Sequence, residues 1–253
     1  MNGIVRSEWT KVRSLRSVLL TVALTVVCAV VFGVLISSGQ AREYGTLSAA
    51  DRAAFDPTYV SLIGSFVFAQ LAIGALGVLS VTSEYATGTI RPTLAAVPYR
   101  GRLLGAKAIV LGAAAFGVAN VAVFAAYLSG QPTLSGLDAP SSTLDDPHVL
   151  RAVLGAGWWL TAVALLGVGV GMIVRSTAGA FTVVVASTLL IPLIGGLLPA
   201  WFARWWPTSA GQQIMRVMRD PEALSPWAGI TWMYVAVAGV LLLGYVSLRF
   251  RDA

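Results

Sequence analysis

The chain is 253 residues long, 57% hydrophobic and only 11% charged, with a formal net charge of +6 and a mean hydropathy of +0.80. A soluble domain carries about 25% charged residues, so this composition excludes one and assigns the chain to lipid. Its single cysteine, Cys28, excludes an intrachain disulfide framework and a cysteine-based metal cluster.

Residues 2–16 open the chain as an expected helix on the membrane surface. Ile4, Val5, Trp9 and Val12 fall at helical spacing while Arg6, Lys11 and Arg13 point elsewhere, a pattern suited to anionic headgroups. Six apolar runs follow, at 18–38, 59–82, 103–130, 150–174, 178–198 and 227–248. Each reaches or exceeds the roughly 20 residues that a helix needs to cross the hydrocarbon core. The alternating pattern of a barrel is absent, so the expected fold is an all-α polytopic membrane protein, one transmembrane domain over 1–253. The first run exceeds the about 7–15 apolar residues of a signal peptide and reads as a retained anchor.

The connections differ in character. Residues 39–58 form a modest polar loop. Residues 131–148, QPTLSGLDAPSSTLDDPH, read as an irregular connector. It holds His148 beside Asp145 and Asp146, but one imidazole in a loop without ligand spacing is no metal site. Residues 199–225 are too long for a turn and too polar for a span. Trp201, Phe202, Trp205 and Trp206 cluster there, and 211–218 is expected as a short amphipathic helix with Ile214, Val217 and Met218 on one side. Helices dipping back toward the membrane and a plain interfacial aromatic belt both fit that stretch.

With six spans both ends lie on one side, together with eleven of the 17 Lys and Arg residues. Basic loops stay in the cytoplasm, so both termini are expected there. Positive-inside topology and anionic lipid account for the net charge without a nucleic-acid partner. Gln70 and Asn120 are the main amides at membrane depth, and no carboxylate or histidine is expected there, which argues against an ion-coupled carrier or pump. Gly167, Gly169 and Gly171, and the pair Gly101 and Gly105, are spaced for close helix packing.

The most informative stretch is 83–107, SEYATGTIRPTLAAVPYRGRLLGAK. The second span is expected to run on into 83–87, with Gly88 in the left-handed position that ends a helix. Thr89 then caps a new helix, and Pro92 falls in its first turn, where no N–H is needed. Ile90, Leu94 and Val97 share one face of this element of about two turns before Pro98 stops it.

In this order and spacing, SEWTKVRSLRS, the 83–107 stretch, PTSAGQQI, LSPWAGI and the terminal RFRD resemble the type-2 permease family of ABC exporters, in the form common among high-GC Gram-positive bacteria. The resemblance covers nearly the whole chain. It implies that residues 83–98 are the coupling helix that seats on an ATP-binding cassette ATPase, with Glu84, Gly88, Thr89, Ile90, Arg91, Pro92, Leu94 and Val97 at the contact. It implies that residues 2–16, with Glu8, Trp9 and Lys11, are the elbow helix. Residues 199–225 would be the external re-entrant segment. The second span would border a cavity between two permease subunits, making Phe66, Phe68 and Gln70, with Asn120, the candidate cargo path.

No G-x-x-x-x-G-K-[ST] phosphate loop occurs. The chain is therefore expected to hold no cofactor, with ATP and Mg on two copies of a partner ATPase and a second permease, identical or different, completing the pathway. The expected function is outward movement of an amphiphilic or apolar cargo across a bacterial plasma membrane. Two other classes compete. One is a membrane immunity or scaffold protein without transport. The other is an intramembrane serine enzyme, which needs a nucleophile and base in reach of each other; no G-x-S-x-G motif is present and His148 lies outside the runs. No catalytic or metal-binding residue is expected in the chain itself.

Overall fold

The computed structural model describes residues 2–14, 16–90, 92–93, 100–218 and 221–250. They form ten helices: α1 (Asn2–Ser14), α2 (Arg16–Tyr44), α3 (Ala49–Ala53), α4 (Pro57–Ala86), α5 (Arg100–Ser135), α6 (Val149–Val174), α7 (Thr177–Leu193), α8 (Ala200–Trp205), α9 (Pro207–Gln212) and α10 (Pro226–Phe250). There is no strand among the described residues. The protein is an all-α membrane protein in which, among the described residues, five helices, α2, α4, α5, α6 and α10, are long and apolar enough to cross a bilayer.

The fifth apolar run departs from expectation. Expected to span 178–198, it yields the 17-residue α7, about 26 Å at 1.5 Å per residue. Pro192 and the Gly195–Gly196 pair explain the early end: the chain passes into a 3-10 turn at Gly195–Leu197. The polar loop expected at 39–58 is also partly helical, since α2 continues to Tyr44. There Ala41 is buried with Val60, Leu134 and Ala139, so the helix is held by packing after hydropathy has faded. Likewise α5 runs from Arg100 to Ser135, beyond the expected 103–130.

The core gathers round α6, where Trp159 and Leu160 are fully buried, while α2 and α10 turn Leu24, Leu35, Leu242 and Leu243 outward. Lipid tails compete equally for apolar side chains, so close backbone approach decides which helices meet. Glycines of α4 and α6 supply it. A Cβ on Gly77 of α4 would strike the Ala164 carbonyl, and one on Gly167 would lie 2.7 Å from the Gly74 carbonyl. On the next face, Gly169 meets Val240 of α10. Of the expected pair on α5, Gly101 packs on Tyr245 and Gly105 faces open space.

Two helices carry π turns. In α4 the wide turn Ser65–Ala69 sends the Gln70 N–H back to Ser65, just after Gly64 meets the backbone of Phe32 and Gly33 on α2. In α7 the turn is Ala186–Leu190. The connector after α5 is irregular, as expected, yet firmly tied. The Gln131 amide donates to the Pro57 carbonyl at 3.0 Å and accepts from the Ser142 N–H at 2.7 Å, and the Tyr127 hydroxyl donates to the Ser142 carbonyl at 2.8 Å.

Candidate functional site

At its C-terminal end α4 stops as its residues dictate. Ser83 and Thr87 satisfy their hydroxyls on carbonyls one turn back, and Gly88 takes φ +69°, open to a residue without Cβ. The chain then turns helical again: the Thr89 carbonyl accepts from the Thr93 N–H at 3.2 Å. Thr89 was expected to cap this turn through its hydroxyl. Among the described contacts that hydroxyl meets Thr87 Oγ1 at 2.9 Å and the Glu84 carbonyl, while Arg91, whose N–H a cap would engage, lies outside the described residues. Ile90 is 5% exposed and so engaged by its own chain, whereas Pro92 is exposed. Arg91, Leu94 and Val97 lie outside the described residues.

Beneath this turn three helices meet in a buried ionic junction. Lys107, about two turns inside the described start of α5, is 4% exposed. Its Nζ donates to Glu8 Oε2 of α1 at 2.7 Å, to Glu84 Oε1 of α4 at 2.9 Å, and to the Ser80 carbonyl at 3.1 Å. An ammonium has three donors, and each has an acceptor here. Removing charges from water costs several kcal/mol per ion unless pairing and hydrogen bonds offset it; this geometry supplies both. Glu84, expected to face a partner, and Glu8, expected on a surface helix, are instead turned inward at 7% and 5% exposure. Trp9, next to Glu8 on α1, is exposed. The Lys11 backbone belongs to α1, but its side chain lies outside the described ones.

Sequence reasoning missed Lys107, which was counted with the basic loop residues. A signal was available: the lysine sits inside the apolar run 103–130, where a cation must be paired. The same end of α4 has two further braces. The Thr177 hydroxyl donates to Thr82 Oγ1 at 2.9 Å. Arg175, in left-handed conformation after α6, lies over the Tyr85 ring and donates to the Ser247 carbonyl of α10 at 3.1 Å.

The candidate cargo residues are not brought together. Phe66 is buried beside Tyr59, and Phe68 stacks on Phe32 of α2 with ring centroids 3.7 Å apart. Gln70 is buried, with its amide donating to the Val67 carbonyl of its own helix at 3.3 Å. Asn120 bonds the Phe116 carbonyl, and its Oδ1 lies against Gly157 without a hydrogen-bond partner. These side chains are engaged in helix packing rather than lining an open surface.

At the opposite end, residues 199–218 fold back onto the bundle. The expected helix at 211–218 lies earlier, at Pro207–Gln212, because Pro207 suits a first helical turn. Ile214 and Met215 then turn into the core, and the N–H groups of Val217 and Met218 donate to Asp56 Oδ2 at 2.7 and 3.3 Å. Ile191 bonds back to Ala186 across the π turn, and Pro192 has no N–H, so the Ser187 carbonyl is left to accept from Trp206 Nε1 at 2.7 Å and the Thr208 hydroxyl at 2.8 Å. The indole of Trp159 donates to the Thr208 carbonyl at 3.1 Å. A cleft of about 400 Å³ opens within this part of the chain between Trp201, Arg204, Trp205, Gln213 and Glu222.

Among the described residues, no group of three His, Cys, Asp or Glu side chains is placed to hold a metal. Neither protein-family models nor curated proteins match the chain.

Proposed function

We propose that the chain is the membrane-spanning permease subunit of an ABC exporter, moving an amphiphilic or apolar cargo outward with ATP hydrolysed on a separate ATPase subunit. The observation that carries this reading is the break at Gly88. A membrane-length helix stops in a left-handed turn and restarts within two residues, above a root fixed to α1, α5, α6 and α7 by the contacts of Glu84, Ser80, Tyr85 and Thr82. A short element mounted in this way delivers force to the bundle instead of flexing.

In this reading α1 is the elbow helix on the cytoplasmic surface and both termini are cytoplasmic. The shorter α7 is the fifth of six spans, which a slightly thinned bilayer accommodates. Residues 199–225 are the external re-entrant segment. Two permeases face each other in a bacterial plasma membrane and two ATPases bind beneath them. Closure of the ATPases around ATP drives residues 83–98, and the braced end of α4 passes the displacement to the spans. Phe68, stacked on Phe32 of α2, reaches cargo only when α4 parts from α2.

The test is Leu94→Asp. The variant is expected to insert normally and to lose the ATPase or its permease-dependent hydrolysis. Unchanged assembly together with unchanged hydrolysis would remove residues 83–98 from the contact.

A further inference from the structure

We infer that Lys107 is the positioning residue that makes α1 and the root of the 83–98 segment move as one body; the coupling half of this inference rests on the permease reading above. Its ammonium sits between two carboxylates from different helices, Glu8 on α1 and Glu84 on α4, while its own backbone belongs to α5. The third donor holds the Ser80 carbonyl, one turn before Glu84. Sliding α1 away from α4 separates a carboxylate from the shared cation inside a buried site, where an uncompensated charge is strongly unfavourable. The two helices are therefore constrained to travel together, and α5 with them. The braces at Thr177 and Arg175 fix α4 to α6, α7 and α10, but neither reaches α1. Ionised groups within spanning helices mark working parts of membrane proteins, and here the arrangement is mechanical: among the described contacts, one cation joins two anions from different helices.

Spin labels test this directly. Nitroxides are placed at Ser7→Cys on α1 and Ala86→Cys at the end of α4, both exposed, in a Cys28→Ala background. Pulsed-EPR distance distributions are then compared in liposomes. The neutral triple variant E8Q/E84Q/K107M, which removes the cation and both of its carboxylates together, is expected to broaden the distribution about twofold or more, as one constrained pair becomes a mobile one. The relocated set E84K/K107E again places one cation between two carboxylates and is expected to restore the narrow distribution. With an ATP-binding cassette partner bound, the neutral triple is expected to keep the ATPase but lose permease-dependent hydrolysis by about fivefold or more, and the relocated set to recover it. A neutral triple as narrow as the wild type overturns the clamp. A broadened triple with undiminished hydrolysis overturns its coupling role. Failure of the wild type to bind any ATPase overturns the permease reading and the coupling role with it, while the EPR widths still decide the clamp.

Discussion

The two ends of the bundle are held by different chemistry. At the Gly88 end, charges meet each other: Lys107 is shared by Glu8 and Glu84 at 2.7 and 2.9 Å. At the Trp206 end, side chains meet backbone. Asp56 takes the N–H groups of Tyr59, Val217 and Met218, Arg151 holds the Ile214 and Arg216 carbonyls, and Ser187 offers its carbonyl to Trp206 and Thr208. An ionic junction is a few strong contacts that stand or fall together, because losing one charge leaves the others less compensated in a buried site. A backbone-directed seam is many moderate bonds, each of which can be lost by itself. The first suits a part that moves as a unit, the second a segment that seals.

The largest effect should come from stranding a charge. Lys107→Met leaves two buried carboxylates and is expected to cost about 3–5 kcal/mol, whereas replacing Glu8, Lys107 and Glu84 together by apolar residues of similar volume should recover most of that. Thermal unfolding in detergent reads both; additive losses in the triple variant would break the picture of one ionic unit. Next is Asp56→Ala, which removes the N-cap of α4 and the acceptor for residues 217 and 218. About 2 kcal/mol is expected, with faster amide exchange at 216–218 and none at 80–90. Comparable in size is the double change Trp206→Phe with Thr208→Val. It leaves the Ser187 carbonyl unsatisfied at a cost of about 1–3 kcal/mol, while Trp206→Phe alone should cost about 0.5–1.5 kcal/mol because Thr208 remains. A double-mutant cycle measures whether the second loss exceeds the first.

Legibility followed the same division. The stop at Gly88, the expected limits of 150–174 and 227–248, and the close approaches of Gly167 and Gly169 could be read from local pattern, since each depends on backbone conformation or apolar length. The continuation of α2 to Tyr44 could not, because Ala41 is held by Val60, Leu134 and Ala139, partners distant in sequence. The inward turn of Glu8 and Glu84 was hidden for the same reason. Hydropathy treats a basic residue near a span end as a topology signal, and only the meeting of α1, α4 and α5 turns Lys107 into a buried partner. The Ser187 seam needed both the π turn and Pro192, and periodicity reveals only the proline.

The most direct test of the account is the composition of the detergent-solubilised particle purified through this chain, measured by native mass together with ATP hydrolysis. The account predicts two permease chains with two ATP-binding cassette ATPases, active toward ATP, reduced to permease alone or uncoupled by Leu94→Asp. A transport-competent particle with one permease chain, or a stable wild-type particle that contains no ATPase and hydrolyses no ATP, would contradict it.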